Sequence, residues 1–338
     1  MSIEIPSTTI EPIRLTYDHV ARRIGEGKTG SRYQEATYDL QSTANFHYRP
    51  LWDPKYEVYD VSRTAIVMED WYSFKDPRQF YYGTYTMARA KQQEIVEKNF
   101  EFVDKRNLFA DQSDEIRNKI NSFIVPLRHV EWGANMNNCA ITDFGYGVAV
   151  TQVTMFNSID RLGIAQYLTR IGLMANGNDT AVLDQAKSDW LGLEMWQKLR
   201  HAMEDIFVLE DWFETMIAQN IVMDGLVYPL IYQRLVDDLS QDNIGVAMLT
   251  EFMNDWYAET VRWTNALIKT TAAESVENTE LLSNWTSQWL ARLSESLEPI
   301  CLAAFPETGL QYLTQIRQEL FERMCDQGLV LKGNDHGR

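Results

Sequence analysis

Four acidic side chains fall where a helix would turn them inward. Glu131 sits in Pro126-Leu-Arg-His-Val-Glu-Trp-Gly-Ala-Asn-Met-Asn-Asn-Cys139, one turn from Leu127 and from Ala134 on an apolar helix face. Asp160 sits in Met155-Phe-Asn-Ser-Ile-Asp-Arg-Leu-Gly-Ile164. Glu214 sits in Asp211-Trp-Phe-Glu-Thr-Met-Ile217, and Glu259 in Asp255-Trp-Tyr-Ala-Glu-Thr-Val-Arg-Trp263. A carboxylate aimed at a core is costly unless it is paired, protonated or bound to metal. Four of them on four helices could together hold a pair of iron ions.

That chemistry has a strict pattern. In di-iron carboxylate bundles, two helices each give a Glu and two each give Glu-x-x-His. Residues i and i+3 share a helix face, so one helix presents a carboxylate and an imidazole to the same ion. In chain order the candidates are Glu131, Asp160-Arg-Leu-Gly163, Glu214 and Glu259-Thr-Val-Arg262. Gly163 and Arg262 stand where histidine is needed. The five histidines, His19, His47, His129, His201 and His336, follow Thr16, Ala44, Pro126, Lys198 and Gly333 by three, so no Glu-x-x-His occurs. The six positions therefore read as a degenerate pseudo-site, with no catalytic, cofactor-binding or metal residue. Arg262 is expected to supply a fixed charge to the buried acids, so Arg262→Ala should cost several kcal/mol. The plainer alternative is that Asp160 and Glu259 are solvated surface acids.

Other chemistries lack their signatures. No Walker loop, Rossmann fingerprint, Gly-x-Ser-x-Gly or Cys–His nucleophile pattern is present. His129 adjoins Glu131 in sequence, but neighbouring helical residues do not face each other, so it reads as structural. Trp190, Trp196, Trp212, Trp256 and Trp263 read as core. Cys139, Cys301 and Cys325 are too few and too scattered for a disulfide framework or zinc. A net charge of −17 argues against nucleic acid and anionic membrane partners. Met1–Ile10 has no leader character, and no long apolar run spans a membrane, so a cytoplasmic home is expected.

The elements that must position these residues are helices. Five of the nine prolines lie in the first 77 residues, and only Pro126 and Pro229 interrupt residues 78 to 298. Residues 1–75 read as an extended, aromatic-rich arm; 14 of the 40 aromatic residues fall between Tyr33 and Tyr85. So apolar an arm must lie on something, either its own body or another subunit. Residues 76–330 read as one all-α domain, and 331–338 as a tail. The first long helix is expected at Asp76-Pro77, running towards Phe102. The second starts at Ser113 and carries Glu131, with a bend at Pro126; a third ends near Met174, and a short one covers Val182–Trp190. The next spans Glu194–Asp224, breaks at Gly225–Pro229 and resumes to Leu239. Others cover Val246–Thr271, a start at Thr279, and Glu307–Gln327 with Gly328 as stop.

Several long, irregular strings carry a resemblance. They are Ser31-Arg-Tyr-Gln-Glu35, Asn45-Phe-His-Tyr-Arg-Pro-Leu-Trp-Asp-Pro54, Arg63-Thr-Ala-Ile66, Asp76-Pro-Arg-Gln-Phe-Tyr-Tyr-Gly83, Pro126-Leu-Arg-His129 and Gly133-Ala-Asn-Met-Asn-Asn138. Asp160-Arg-Leu-Gly163, Asp211-Trp-Phe-Glu214, Gln219-Asn220 and Val246-Ala-Met-Leu-Thr-Glu-Phe-Met253 complete them. Over nearly its whole length the chain resembles the β, small and non-catalytic, subunits of the hydroxylase component of bacterial multicomponent monooxygenases, most closely phenol hydroxylase. The resemblance implies a ferritin-like (ribonucleotide-reductase-like) bundle with no cofactor of its own. It implies a di-iron α subunit and a small γ subunit as partners in a dimer of αβγ trimers, served by a regulatory protein and a reductase. The reaction it implies is phenol to catechol with O2 and NAD(P)H. Two other readings compete: an autonomous carboxylate-bound di-iron oxygenase, and a non-enzymatic helical binder of apolar ligands.

Overall fold

The computed structural model describes residues 14–44 and 49–332. The readings made on Met1–Ile10, on Asn45–Tyr48 with His47, and on the tail beyond Lys332 with His336 lie outside the described residues. Every regular element among the described residues is helical. No described helix is long and apolar enough to cross a membrane.

Two short helices, α1 (Asp18–Ile24) and α2 (Arg32–Glu35), come first among the described residues. Ser31 and Gln34 close a capping box on α2. Of the two destinations open to the arm, its own body takes Tyr33, Tyr38, Trp71, Tyr72 and Phe74, all buried, whereas Trp52 is exposed. Trp71 meets Trp212 at 5.5 Å between ring centroids. The Asn278 side chain accepts from the Val67 amide at 3.1 Å and donates to its carbonyl at 2.8 Å. Asp211 accepts from the Ala65 amide at 2.7 Å. At Gly147 the arm and the body pack closely: its φ is +86°, and a Cβ there would lie 2.8 Å from the Trp71 Cβ. Gly147→Ala should therefore cost at least about 1–2 kcal/mol, the penalty of a left-handed residue, readable in urea unfolding.

The bundle begins later than Asp76. The Asp76 carboxylate turns back to Arg78 at 3.0 Å, Gln79 takes a φ of +52°, and α3 runs over Tyr82–Lys105. Ser113 caps α4 (Asp114–Lys119) as expected. A π-helical turn over Ile120–Ile124, with Val125 N–H bonded to the Ile120 carbonyl, absorbs Pro126 and leads into α5 (Leu127–Phe144). Antiparallel to α5 runs α6 (Val148–Ala175), followed by α7 (Ala181–Gly192).

The expected helix over Glu194–Asp224 is two. α8 (Glu194–Phe207) stops, and Asp211 caps α9 (Trp212–Met216), accepting from Phe213 N–H at 2.8 Å. The expected break at Gly225–Pro229 is absent. A π turn (Ile217–Met223), α10 (Asp224–Tyr228), a second π turn (Pro229–Leu235) and α11 (Val236–Ser240) follow as one stretch. Wider turns accommodate a proline that lacks its N–H, and burial on all sides holds them in place. α12 (Ile244–Glu274) and α13 (Val276–Ala304) are nearly continuous, with Ser275 rather than Thr279 as the cap of α13. α14 (Gly309–Asp326) ends before Gly328, at φ +99°. The core is one large cluster running from Val20 to Leu331, with a small second one of Phe80, Tyr85 and Phe156.

Candidate functional site

The centre of the bundle holds a charged network. Glu131, on the inward face of α5, is 1% exposed. Arg161 of α6, fully buried, donates from Nη1 to Glu131 Oε2 at 3.0 Å and from Nη2 to Asp224 on α10. Tyr228, one turn after Asp224, donates to Glu131 Oε1 at 2.8 Å. Gln219, in the first π turn, donates to Asp224 Oδ1 at 3.1 Å. The Trp256 ring of α12 covers the guanidinium at 4.4 Å. Burial pushes the Glu131 and Asp224 carboxyls above the usual carboxylate range, and Arg161 opposes that push. One cation thus serves two acids.

Buried amides extend the network. Asn137 donates to Gln219 at 2.8 Å, and Asn138, Asn157 and Asn220 bond to one another at 2.9–3.1 Å. Each bond joins two of α5, α6 and the π turn, so together they fix the register of the three.

Asp160 follows a different path from its neighbour. Consecutive helical residues point about 100° apart, and Asp160 faces α3 and α12. It accepts from Tyr85 Oη at 2.8 Å, from Arg89 Nε at 2.9 Å and Nη2 at 2.8 Å, and from Trp256 Nε1 at 2.9 Å. Arg89 Nη1 also donates to Glu259 at 2.9 Å. Gly163 borders a cavity of about 360 Å³ beside this pair. Glu214 lies apart, half-buried in a groove between α13 and α14, where Trp289 Nε1 donates to it at 2.9 Å.

The four expected acids therefore occupy three places. Arg262 is exposed, because α12 turns Tyr257, Thr260, Trp263 and Thr264 inward instead. The neutralising arginines are Arg161 and Arg89. Asp224, Tyr228 and these two arginines were missed by sequence reasoning. Asp224 had a signal: it is the sole charge between Thr215 and Gln233.

These residues do not fit a di-iron pair. The central carboxylates are both committed to a guanidinium, and among the described residues no imidazole reaches them. Among the described residues, no three His, Cys, Asp or Glu side chains gather where they could hold a metal ion.

His129 stacks on Trp190 at 6.0 Å. Burial, helped by Arg128 and Lys187, lowers its pKa from 6.5 to about 4. The unfolded chain therefore takes up a proton between those values that the fold refuses, and stability falls as pH drops through this window. In His129→Gln the urea midpoint should depend less on pH from about 6.5 down to about 4.

A family model for the methane/phenol/alkene hydroxylases matches residues 52–275. The chain is 48% identical over 331 residues to the phenol 2-monooxygenase oxygenase component DmpL of Pseudomonas sp. (strain CF600), covering 97% of this chain and 98% of that one. The crystal structure of xenon-pressurized phenol hydroxylase from Pseudomonas sp. OX1 superimposes with a TM-score of 0.92 at 47% identity, over 98% of this chain and 100% of that one. The hydroxylase component subunit beta of the toluene-4-monooxygenase system of Ectopseudomonas mendocina is 21% identical over 246 residues, 71% of this chain and 72% of its own. The all-helical body is accordingly a ferritin-like bundle. The chain belongs to the methane/phenol/alkene hydroxylase family, as a homologue of the oxygenase component of phenol 2-monooxygenase.

Proposed function

We propose that this chain is the structural, non-catalytic β subunit of a multicomponent phenol hydroxylase. In this reading it packs on a di-iron α subunit and a small γ subunit in the cytoplasm. A regulatory protein and a reductase complete a system that turns phenol, O2 and NAD(P)H into catechol. The observation that carries the reading is Arg161, a buried cation standing between Glu131 and Asp224 at the heart of the bundle. A guanidinium there answers the cost of burying the acids without leaving them free to bind iron. The subunit beta named in the toluene-4-monooxygenase system supports it as well.

The surface of the α5–α6 pair supports a partner. Between Arg128 and Asp143, α5 exposes Trp132, Met136 and Cys139; between Val148 and Thr169, α6 exposes Met155, Ile159, Leu162 and Gln166. Every charge in these stretches, Glu131, Asp160 and Arg161, is buried. Asn135 of α5 donates to the Ser158 carbonyl of α6 at 2.8 Å, so the two rows lie side by side. On a chain of net charge −17, a charge-free face with Trp and Met has the composition of a permanent interface core. We read it as the seat of the α subunit.

The test is to purify the chain alone and with the large subunit. Iron and catechol formation should follow the large subunit only. Stoichiometric iron in the lone chain, or turnover by it, would overturn the reading.

A further inference from the structure

Gly163 stands in the middle of α6, and no contact within the chain accounts for it. A glycine weakens a helix interior relative to alanine. Elsewhere in the bundle a close neighbour requires one. A Cβ at Gly172 of the same helix would lie 2.8 Å from Val125 Cγ2, and one at Gly133 of α5 would lie 2.7 Å from Met203 Sδ. At Gly163 a Cβ would meet no atom within 4 Å, and the backbone is not left-handed. Among the described residues it is the only glycine inside a helix, away from its ends, for which neither reason holds. The room it leaves is room for something outside the chain.

That room belongs to the cleft of about 360 Å³ between α3, α6 and α12. Its walls are the rings of Tyr85, Tyr167 and Phe252 and the side chain of Ile159; Tyr167 and Phe252 meet edge to face at 5.5 Å. Its four charged groups already hold one another: Arg89 meets Asp160 at 2.8 Å, and Arg170 meets Glu97 at 2.7 Å. A charged guest would find no free counter-charge there, whereas an uncharged one would find rings. The cleft is continuous with the charge-free face, since Ile159 and Gln166 line it and also stand in the exposed row of α6.

We propose that this cleft is a socket for one bulky, uncharged side chain of the large subunit, and that residue 163 is glycine to keep the socket open. Pockets filled by one large anchor are where interface binding energy concentrates. The proposal rests on the reading of the α5–α6 face as the seat of that subunit. It adds a consequence of its own: at this position, what helps the lone chain harms the assembly.

The experiment makes Gly163→Ala and Gly163→Leu in the full chain, with Ile159→Asp alongside. Urea unfolding reads each chain alone, and recovery with a tagged large subunit reads assembly. Alanine should raise the folding constant about two- to fivefold. Leucine, which enters the same open space, should leave the urea midpoint no lower than wild type. Co-purification should fall measurably with alanine and about tenfold or more with leucine, which fills the socket. If Ile159→Asp breaks assembly while both Gly163 variants assemble like wild type, the face stands and the socket is wrong. If none of the three disturbs assembly, the face itself is wrong and the socket falls with it. A Gly163→Ala or Gly163→Leu chain less stable than wild type would also overturn the proposal, because the chain itself would then need the room.

Discussion

Arg161→Ala is expected to lose about 3–5 kcal/mol of unfolding free energy at neutral pH, the usual penalty for removing one side of a buried ion pair. The reason is what stays behind. Glu131 and Asp224 are already held above the usual carboxylate range by burial, and Arg161 is the cation that opposes this. Without it, both must take up protons to remain inside. The sign with pH follows. A carboxyl whose folded pKa is raised binds protons in the fold that the unfolded chain releases. Its destabilising effect grows as pH rises through the ordinary carboxylate range towards neutral. The loss should therefore be largest near neutral pH and smaller in acid. Arg161→Met combined with Glu131→Gln and Asp224→Asn should recover most of it, because no unpaired charge is left. Urea unfolding at about pH 5 and about pH 7.5 measures both effects. A loss below about 1 kcal/mol at neutral pH would mean that the network does not hold the bundle.

Ile159→Asp should leave the isolated fold almost untouched and break its assembly. Ile159 is 50% exposed on α6, where substitutions usually change stability by no more than about 0.5 kcal/mol. On an assembled face the same carboxylate would be buried without a partner, a cost of several kcal/mol. Recovery of the chain with a tagged large subunit should drop at least tenfold, which corresponds to about 1.4 kcal/mol. Undiminished co-purification would remove the α5–α6 face from the interface.

The sequence was a good guide to local matters. The absence of proline predicted long helices, Ser113 announced α4, and Gly328 announced the end of α14. It was a poor guide where tertiary contacts decide. The stop at Phe207 depends on Asp211, which caps α9 and also takes an amide from the arm at Ala65. Pro229 passes without a break because its neighbours are buried on every side and the turns widen around it. At the site, periodicity identified Glu131 as an inward acid. It could not say which arginine meets it, since that depends on how α5, α6 and α10 come together. Arg262 was chosen by its spacing from Glu259 alone, and the helix turns it outward. A charge standing by itself in a long neutral run, as Asp224 does, was the better cue.

The hold of Asn278 on Val67 bears on how the arm tolerates change. That one amide engages both the N–H and the carbonyl of a residue outside any sheet. It anchors the chain 15 residues before α3, and the stretch between must deliver Asp76 and Arg78 to their places. Extra residues ahead of Ala65 would lengthen a surface stretch that already leaves Leu51 and Trp52 uncovered. Extra residues after Val67 would push Arg78 out of register with the bundle. Length variation in this arm should be absorbed on one side of the anchor and rejected on the other.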